Sequence, residues 1–208
     1  MTSHNFEDAA PAPWSEMPPN VLSPEDNSTF RLARMLLLFD VAKSLGKRVQ
    51  SVDRLAYYEF FSDNPFVVIE GDSARDRADR LALELAGFSR VQLAYASTGQ
   101  RFASRRRRLQ HDLARLVAFG LAEMTTDGYA ITDEGSALSS DLRSVYADAY
   151  RASAEIVLRR LASRGNKALD RDVEEWLGYS WLLVDLLDEV GDAHAPTDPI
   201  DDELKEGE

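Results

Sequence analysis

The stretch from Phe102 to Gly135 constrains the fold of this chain more than any other. It reads FASRRRRLQHDLARLVAFGLAEMTTDGYAITDEG. Its first half carries apolar residues at 3.6-residue spacing, which predicts an amphipathic helix. The apolar stripe of that helix consists of Phe102, Leu109, Leu113, Leu116 and Val117. Gly120 follows the last residue of the stripe and is expected to end the helix.

The second half of the stretch predicts a hairpin and the start of another helix. The short runs Leu121–Thr125 and Tyr129–Ile131 flank Asp127-Gly128, and Asp-Gly between two such runs is a strong hairpin signal. Thr132 suits the N-cap of the following helix. Helix, hairpin and capped helix in this order are typical of the second half of a winged helix-turn-helix unit. The predicted fold class is therefore mostly α, with a winged helix-turn-helix core, a small two-stranded β-hairpin and additional long C-terminal helices.

Three further helices precede this stretch. Apolar spacing and capping residues predict helices over about Thr29–Leu45, Val52–Phe61 and Ala74–Ala86, and Phe66–Ile69 is either a strand or a buried loop. The third helix is expected to turn its apolar residues to the core and its alternating charges to solvent. The residues expected on its core side are Ala78, Leu81 and Leu85, and those on its solvated face are Arg75, Asp76, Arg77, Asp79 and Arg80.

Two long helices are predicted after the hairpin. The first runs from about Asp133 to Ser163 and would span over about 40 Å at 1.5 Å per residue, long enough to reach a second protomer or subunit. The second, about Ala168–Val190, is apolar around much of its circumference, which indicates a deep core position or an oligomer interface. The side chains expected at a protein interface are Tyr146, Tyr150, Trp176 and Trp181.

The charge of the chain is concentrated at its ends. The net charge is −12 over 208 residues, but residues 1–27 carry five acids and no Lys or Arg, and residues 192–208 carry seven acids against Lys205. We therefore expect a disordered acidic, Pro-rich arm over 1–27, a winged-helix domain over 28–135, a helical interface extension over 136–191 and a disordered acidic tail over 192–208. No secretory leader or apolar membrane segment is visible, so a soluble, cytoplasmic protein is expected.

The sequence offers no signature of catalysis. There is no cysteine, and the histidines His4, His111 and His194 are too scattered to form a metal site. No phosphate-cradling glycine loop is present. Asp40 is the one acid in an apolar neighbourhood, where a paired structural carboxylate is the better interpretation. We expect a protein that is not an enzyme and that needs no cofactor or metal.

The predicted basic helix is the candidate binding element. Residues 90–115 contain seven arginines and one acid, Asp112. Arg101, Arg108 and Arg115 form a stripe about 21 Å long, which suits phosphate oxygens. The full set of candidate DNA-binding residues is Arg101, Ser104, Arg105, Arg107, Arg108 and Arg115. An acidic protein partner, including the chain's own tails, and a plain solvated surface remain alternatives. The hairpin tip lacks Lys and Arg, unlike a typical DNA-reading wing.

Two resemblances extend this interpretation. The pattern from Leu113 through Gly120-Leu121-Ala122 to Gly128-Tyr129-x-Ile131-Thr132-Asp133-Glu134-Gly135 resembles the winged-helix end of many prokaryotic regulators. The segment SVDRLAYYEFFSDNP, residues 51–65, between an initial helix and this unit is similar to the middle component of bacterial ABC-three-component systems. Those are small helical proteins encoded beside an SMC-like or Rad-fifty-like ATPase and implicated in defence against invading DNA.

The second resemblance implies a non-catalytic accessory subunit that bridges an SMC/ABC-type ATPase and DNA, in a prokaryotic DNA-defence or chromosome-associated complex. One alternative is a stand-alone transcription regulator that forms a homodimer through its C-terminal helices. Another is a protein–protein adaptor that does not bind DNA. The sequence identifies neither the partner nor a base preference.

Overall fold

The computed structural model describes residues 26–90 and 98–178, which contain seven α-helices and one two-stranded antiparallel sheet. This confirms the expected mostly helical chain with a small hairpin. The elements are α1 (Ser28–Ser44), α2 (Val52–Asp63), α3 (Ala74–Leu85), α4 (Thr98–Ala118), β1 (Ala122–Thr125), β2 (Gly128–Ile131), α5 (Asp133–Asp141), α6 (Val145–Leu161) and α7 (Asn166–Leu177). The acidic tail, Trp181 and all but the end of the N-terminal arm lie outside the described residues.

Side-chain caps set the starts of the first helices, as their sequence predicts. The Asn27 side chain accepts hydrogen bonds from the first-turn amides of α1, and Ser51 accepts from the Arg54 amide in α2. Ser73 and Asp76 form a reciprocal capping box at α3. The segment after α2 is a 3-10 turn over Pro65–Val68, which answers the open choice between a strand and a loop.

The hairpin is joined to the α1–α2 connection by a third extended residue. β1 and β2 pair antiparallel, with Ala122 opposite Ile131 and Thr125 opposite Gly128. Val49, between α1 and α2, forms a bridge to Tyr129: the Tyr129 amide donates to the Val49 carbonyl at 2.8 Å, and the Val49 amide donates back at 3.3 Å. The base of the hairpin is thereby fixed to the first half of the chain.

Helix α6 lies at the centre of the core. It packs against both α1 and α2, while α4 packs on the opposite part of the same two helices and α5 packs on α1. One cluster of buried apolar residues runs from Met35 in α1 to Leu177 in α7. The division expected at residue 135 therefore does not separate two cores, and it falls within α5.

The predicted single helix over about Asp133–Ser163 is wrong. The chain leaves the helical conformation at Leu142, whose ψ is 85°, and Ser144 is extended, with φ −161° and ψ 161°. The Ser144 side chain then accepts from the Ala147 amide at 3.0 Å and starts α6 anew. The apolar spacing continues across this break, so periodicity alone concealed a serine cap. No described helix spans the length that the prediction required.

The expected orientation of α3 is also wrong. Leu81 is 56% exposed and Leu85 is 81% exposed, whereas Leu83 is fully buried and Asp76 is 9% exposed. Asp76 and Asp79 face the protein because Arg160 of α6 reaches across to them, whereas Arg75 and Arg77 are exposed as expected. The Arg160 guanidinium donates to Asp76 at 2.8 Å and, through Nε, to Asp79 at 2.9 Å. Ion pairing, rather than apolar burial, holds most of α3 to the core.

The Asp76 carboxylate should make the stability of this attachment depend on pH. Hydrogen bonds from Ser73 and Arg160 hold the pKa of Asp76 well below its usual range. A group whose pKa is lower in the folded state stabilises the fold above its unfolded pKa, which is about 4, and loses that contribution as the pH falls. We therefore expect Asp76→Asn to be destabilising at neutral pH.

Chemical denaturation of wild type and Asp76→Asn between pH 7 and pH 2.5 measures this. The gap between their free energies of unfolding should be full at neutral pH and should close progressively below about pH 4. Asp72→Asn is the matched control, because the Asp72 side chain is 88% exposed in its pair with Arg80. A gap for Asp76→Asn that does not change with pH would contradict the assigned role of the carboxylate.

Gly128 permits the close approach of the hairpin to the α1–α2 connection. Its φ is +123°, and a Cβ atom there would lie 2.3 Å from the Val49 carbonyl oxygen. Gly46 also has a positive φ, +63°, but a Cβ there meets nothing within 4 Å. We expect Gly46→Ala to cost only the backbone penalty of about 1–2 kcal/mol, and Gly128→Ala to cost clearly more because the Val49 bridge must also open. Thermal unfolding of the two variants checks this, and equal losses would contradict the steric argument.

Candidate nucleic-acid interface

The N-terminal half of α4 is fixed against α2 by aromatic packing. Phe102 is 1% exposed, and its ring lies 5.8 Å from the ring of Tyr57 and 5.3 Å from that of Phe60. Leu109, Leu113 and Leu116 continue the buried side of the helix, as the apolar stripe predicts. Val117 was predicted on this side but is 38% exposed. The opposite face of α4 is left at the surface.

Arg105 is not on that surface, so its assignment as a DNA contact is wrong. It is 8% exposed, and its guanidinium donates to Asp63 of α2 at 2.8 Å. It also lies 3.9 Å from Glu59 and over the ring of Phe60, 5.6 Å from the centroid. A guanidinium that is desolvated and paired in this way is part of the core and cannot bind phosphate.

The one acid of α4 is buried and neutralised. Asp112 is 1% exposed, and it accepts a bidentate pair from Arg31 of α1, with Nε at 2.6 Å and Nη2 at 3.1 Å. Because Asp112 is buried in its ion pair with Arg31, the side of α4 that faces solvent carries no acidic side chain.

Two further arginines of α4 have acidic partners at the surface. Arg106 donates to Asp53 at 2.8 Å, and its side chain is 33% exposed. Arg108 donates to Asp26 at 3.0 Å, at the end of the N-terminal arm. The Arg108 and Asp26 side chains are 36% and 52% exposed, so this pair is well solvated.

The remaining candidates of α4 lie toward solvent. Arg101 and Arg107 are exposed, and Ser104 and Arg115 are half-buried. The Arg115 guanidinium lies over the ring of Phe119, 5.8 Å from its centroid, and this contact orients it. His111 is exposed on the same side of the helix. The solvent-facing surface of α4, which we call the α4 basic face, therefore carries the polar side chains Arg101, Ser104, Arg107, Arg108, Gln110, His111 and Arg115.

Two basic residues beside the hairpin were missed by the sequence analysis. Lys47 and Arg48 precede Val49, so the Val49–Tyr129 bridge places them next to the hairpin. Arg48 lies 3.3 Å from the carboxylate of Asp127 at the hairpin tip, and its side chain is 52% exposed. These residues supply the positive charge that the tip itself lacks. The only sequence signal for this position was the β-branched Val49, which follows Lys47 and Arg48 between two predicted helices. One residue is too short a run to predict a strand.

The four expected interface residues have different environments. Tyr150 is 1% exposed in the core, and Tyr146 is 42% exposed, with its ring 6.0 Å from that of Tyr150. Trp176 packs edge-on against Phe61 at 5.2 Å and donates to the Glu70 carboxylate. Trp181 lies outside the described residues. Tyr150 and Trp176 thus serve contacts within the chain.

Asp40 has the structural role that was expected of it. It is half-buried in α1, and its carboxylate accepts a hydrogen bond from the Ser139 hydroxyl of α5 at 3.1 Å. Within residues 26–90 and 98–178, His, Asp and Glu side chains form no group of three that could hold a metal ion. Every helix in the same ranges is too short or too polar to cross a lipid bilayer.

Comparison of the chain with protein-family models, with curated proteins and with solved structures found no match.

The different environments of Arg105 and Arg107 give a direct test of this description. Removal of one partner from a buried ion network leaves a desolvated charge and typically costs about 3–5 kcal/mol, so we expect a loss of that size for Arg105→Ala. Arg107→Ala removes the same side chain from the exposed side of the helix and should change stability by less than about 0.5 kcal/mol. Urea denaturation of both variants measures this. Similar free energies of unfolding would contradict the burial of Arg105.

Proposed function

We propose that this protein is a non-catalytic winged-helix protein that binds duplex DNA through the α4 basic face. The observation that carries the proposal is the burial of Asp112 against Arg31. It leaves a helix surface whose charged side chains are all arginines, beside a hairpin flanked by Lys47 and Arg48. Guanidinium groups bind phosphate oxygens bidentately, and neutralisation of phosphates supplies most of the affinity of non-specific DNA binding.

The order of the elements supports the winged-helix assignment. Helix α1, the extended residue Val49, helix α2, helix α4 and the β1–β2 hairpin follow one another along the chain, with Val49 paired to the second hairpin strand. In this assignment α4 is the recognition helix and the hairpin is the wing. One departure is large: the 3-10 turn and α3 stand between α2 and α4, where a helix-turn-helix has a short turn.

The composition of the basic face favours backbone tracking over base readout. Its polar groups other than arginine are Ser104, Gln110 and His111, so Gln110 is the one amide side chain of the face that could read adenine in the major groove. Phosphate contacts position a protein on DNA without specifying sequence. The expected binding is therefore strongly salt-dependent and weakly sequence-dependent.

An accessory role beside an SMC/ABC-type ATPase is part of this proposal, and it rests on the resemblance carried by residues 51–65. The partner surface would differ from the one first expected, because Tyr150 and Trp176 pack inside the chain. The exposed apolar side chains at the α5–α6 turn offer a place for it. These are Leu138, Val145 and Tyr146, which are 43%, 88% and 42% exposed.

Replacement of three arginines of the basic face tests the DNA proposal. We expect Arg101→Ala/Arg107→Ala/Arg115→Ala to weaken binding to a mixed-sequence duplex and to lower the slope of log K against log salt by about 1 for each phosphate that is no longer neutralised. Fluorescence anisotropy from 50 to 200 mM salt measures both quantities. All three substitutions truncate side chains on the solvent-facing side of the helix, so the fold should be retained.

The matched control removes the same charge from other surfaces. Arg143, Arg159 and Arg171 are exposed residues outside α4, and the triple variant Arg143→Ala/Arg159→Ala/Arg171→Ala should keep most of the salt slope. Equal losses of DNA affinity and of salt slope in the two triple variants would show that net charge alone causes the effect. That result would contradict the assignment of the DNA-binding surface to α4. A footprint of the protein alone on one specific palindrome would favour the stand-alone regulator.

A further inference from the structure

Helix α3 turns its apolar side to solvent. Ala74, Ala78, Leu81, Ala82 and Leu85 recur at helical spacing on one face, and none of the five is buried. A surface helix normally buries such a stripe against the body of the protein. Here the opposite side is held inward by the ion pairs of Asp76 and Asp79 with Arg160 and by the fully buried Leu83. The ion-paired residues Asp76 and Asp79 therefore face the protein. The opposite, apolar face of α3 stays uncovered, and we call it the α3 stripe.

The borders of the α3 stripe are charged, and the exposed Glu84, which pairs with Arg90, lies beside Arg77 on one of them. At 100° per residue, Arg77 falls on one side of the stripe and Arg75 on the other. Both residues are exposed. The centre of the stripe consists of alanines and two leucines, so a second helix can approach its axis closely. A matching partner is thus a helix with a leucine-rich face.

The chain leaves the described residues next to the start of α3. Trp176, at the end of α7, packs on Phe61 and donates from Nε1 to the carboxylate of Glu70. Glu70 lies shortly before Ser73, the residue that caps α3. Gly178 follows α7 with φ 73° and ψ 158°, a conformation that redirects the chain. The described part of the chain therefore ends near the segment that leads into α3.

The sequence that follows has the features of the required partner. Residues 179–190 read YSWLLVDLLDEV, and their apolar residues recur at helical spacing. The residues on this apolar side are Tyr179, Leu182, Leu183, Leu186, Leu187 and Val190. Asp185 and Glu189 border it on one side, whereas Ser180 and Val184 lie between it and Asp188 on the other. A helix over these residues would be about 18 Å long, the same length as α3.

We propose that residues 179–190 of the same chain form a helix that docks on the α3 stripe. The helix starts near Ser73 and runs along α3, with its leucines over Ala78, Leu81 and Leu85 and the acids of its second half turned to solvent. This contact completes the burial of α3 and gives the apolar C-terminal segment a site within its own chain. The proposal is independent of DNA binding and of the α4 basic face.

Engineered disulfides test the docking directly, because the natural chain contains no cysteine. We pair Leu81→Cys with Leu183→Cys, Leu186→Cys or Leu187→Cys in three separate variants and oxidise each at low protein concentration. A disulfide requires Cα atoms within about 7 Å. We expect at least one variant to form an intramolecular disulfide in the monomer in most molecules, as measured by intact mass and non-reducing electrophoresis.

The control pairs Leu81→Cys with Asp185→Cys, which lies on the acidic side of the predicted helix and should remain largely reduced. Disulfide-linked dimers in place of monomers would overturn the proposal in favour of a second copy on the stripe. Failure of all three pairs to cross-link would overturn it as well. Circular dichroism establishes that each variant is folded.

Hydrogen exchange gives a second readout that needs no cross-link. Leu81→Asp/Leu85→Asp places charges on the stripe and should accelerate amide exchange in residues 179–190 by at least 10-fold, with α1 and α2 unaffected. Leu138→Asp, an exposed apolar position on α5, should leave the exchange of residues 179–190 unchanged. Unprotected amides over 179–190 in the wild-type chain would contradict the docked helix.

Discussion

The structure depends on a buried ion network that joins three helices. Arg34 of α1 binds both Glu59 and Asp63 of α2, and Arg105 of α4 binds Asp63 as well. Arg34 and Glu59 are 2% and 5% exposed, so each charge has lost its hydration and depends on its partners. Burial raises the pKa of the neighbouring Tyr150 hydroxyl well above its usual value, which keeps this α6 side chain neutral beside the network. A shift of α1, α2 or α4 along its axis would strand a buried charge, and the network therefore fixes the register of the helices that carry the basic face.

Arginine serves the same purpose in the second half of the fold. Arg54 of α2, 5% exposed, donates to the Arg164 carbonyl at 2.5 Å and to the Asn166 side chain at 2.8 Å, and so holds the turn between α6 and α7. Arg160 holds α3 through Asp76 and Asp79. A guanidinium suits these positions because it presents five donors in a fixed plane and stays charged when desolvated. A chain rich in arginine thus need not be a chain with a basic surface.

This use of arginine explains what the sequence could predict. The helices, the hairpin and the Thr132 cap follow from local signals: apolar period, Asp-Gly and side-chain caps. The orientation of α3 could not follow from them, because its inner side is selected by Arg160, far away along the chain. The same holds for the basic helix, where four consecutive arginines look alike in sequence. Their partners in space distinguish them, such as the buried Asp63 for Arg105 and the exposed Asp26 for Arg108.

The energies of these pairs decide which arginines can meet DNA. The pair between Arg108 and Asp26 is solvated, and such pairs contribute about 0–1 kcal/mol, so a phosphate can replace Asp26 at little cost. Arg105 is held in the desolvated network, where removal of one partner costs several kcal/mol. A DNA phosphate cannot offset that cost with one exchanged ion pair. The availability of Arg105 and Arg108 therefore follows from the exposure of their acidic partners, and in the proposed DNA complex a phosphate would compete with Asp26 for Arg108.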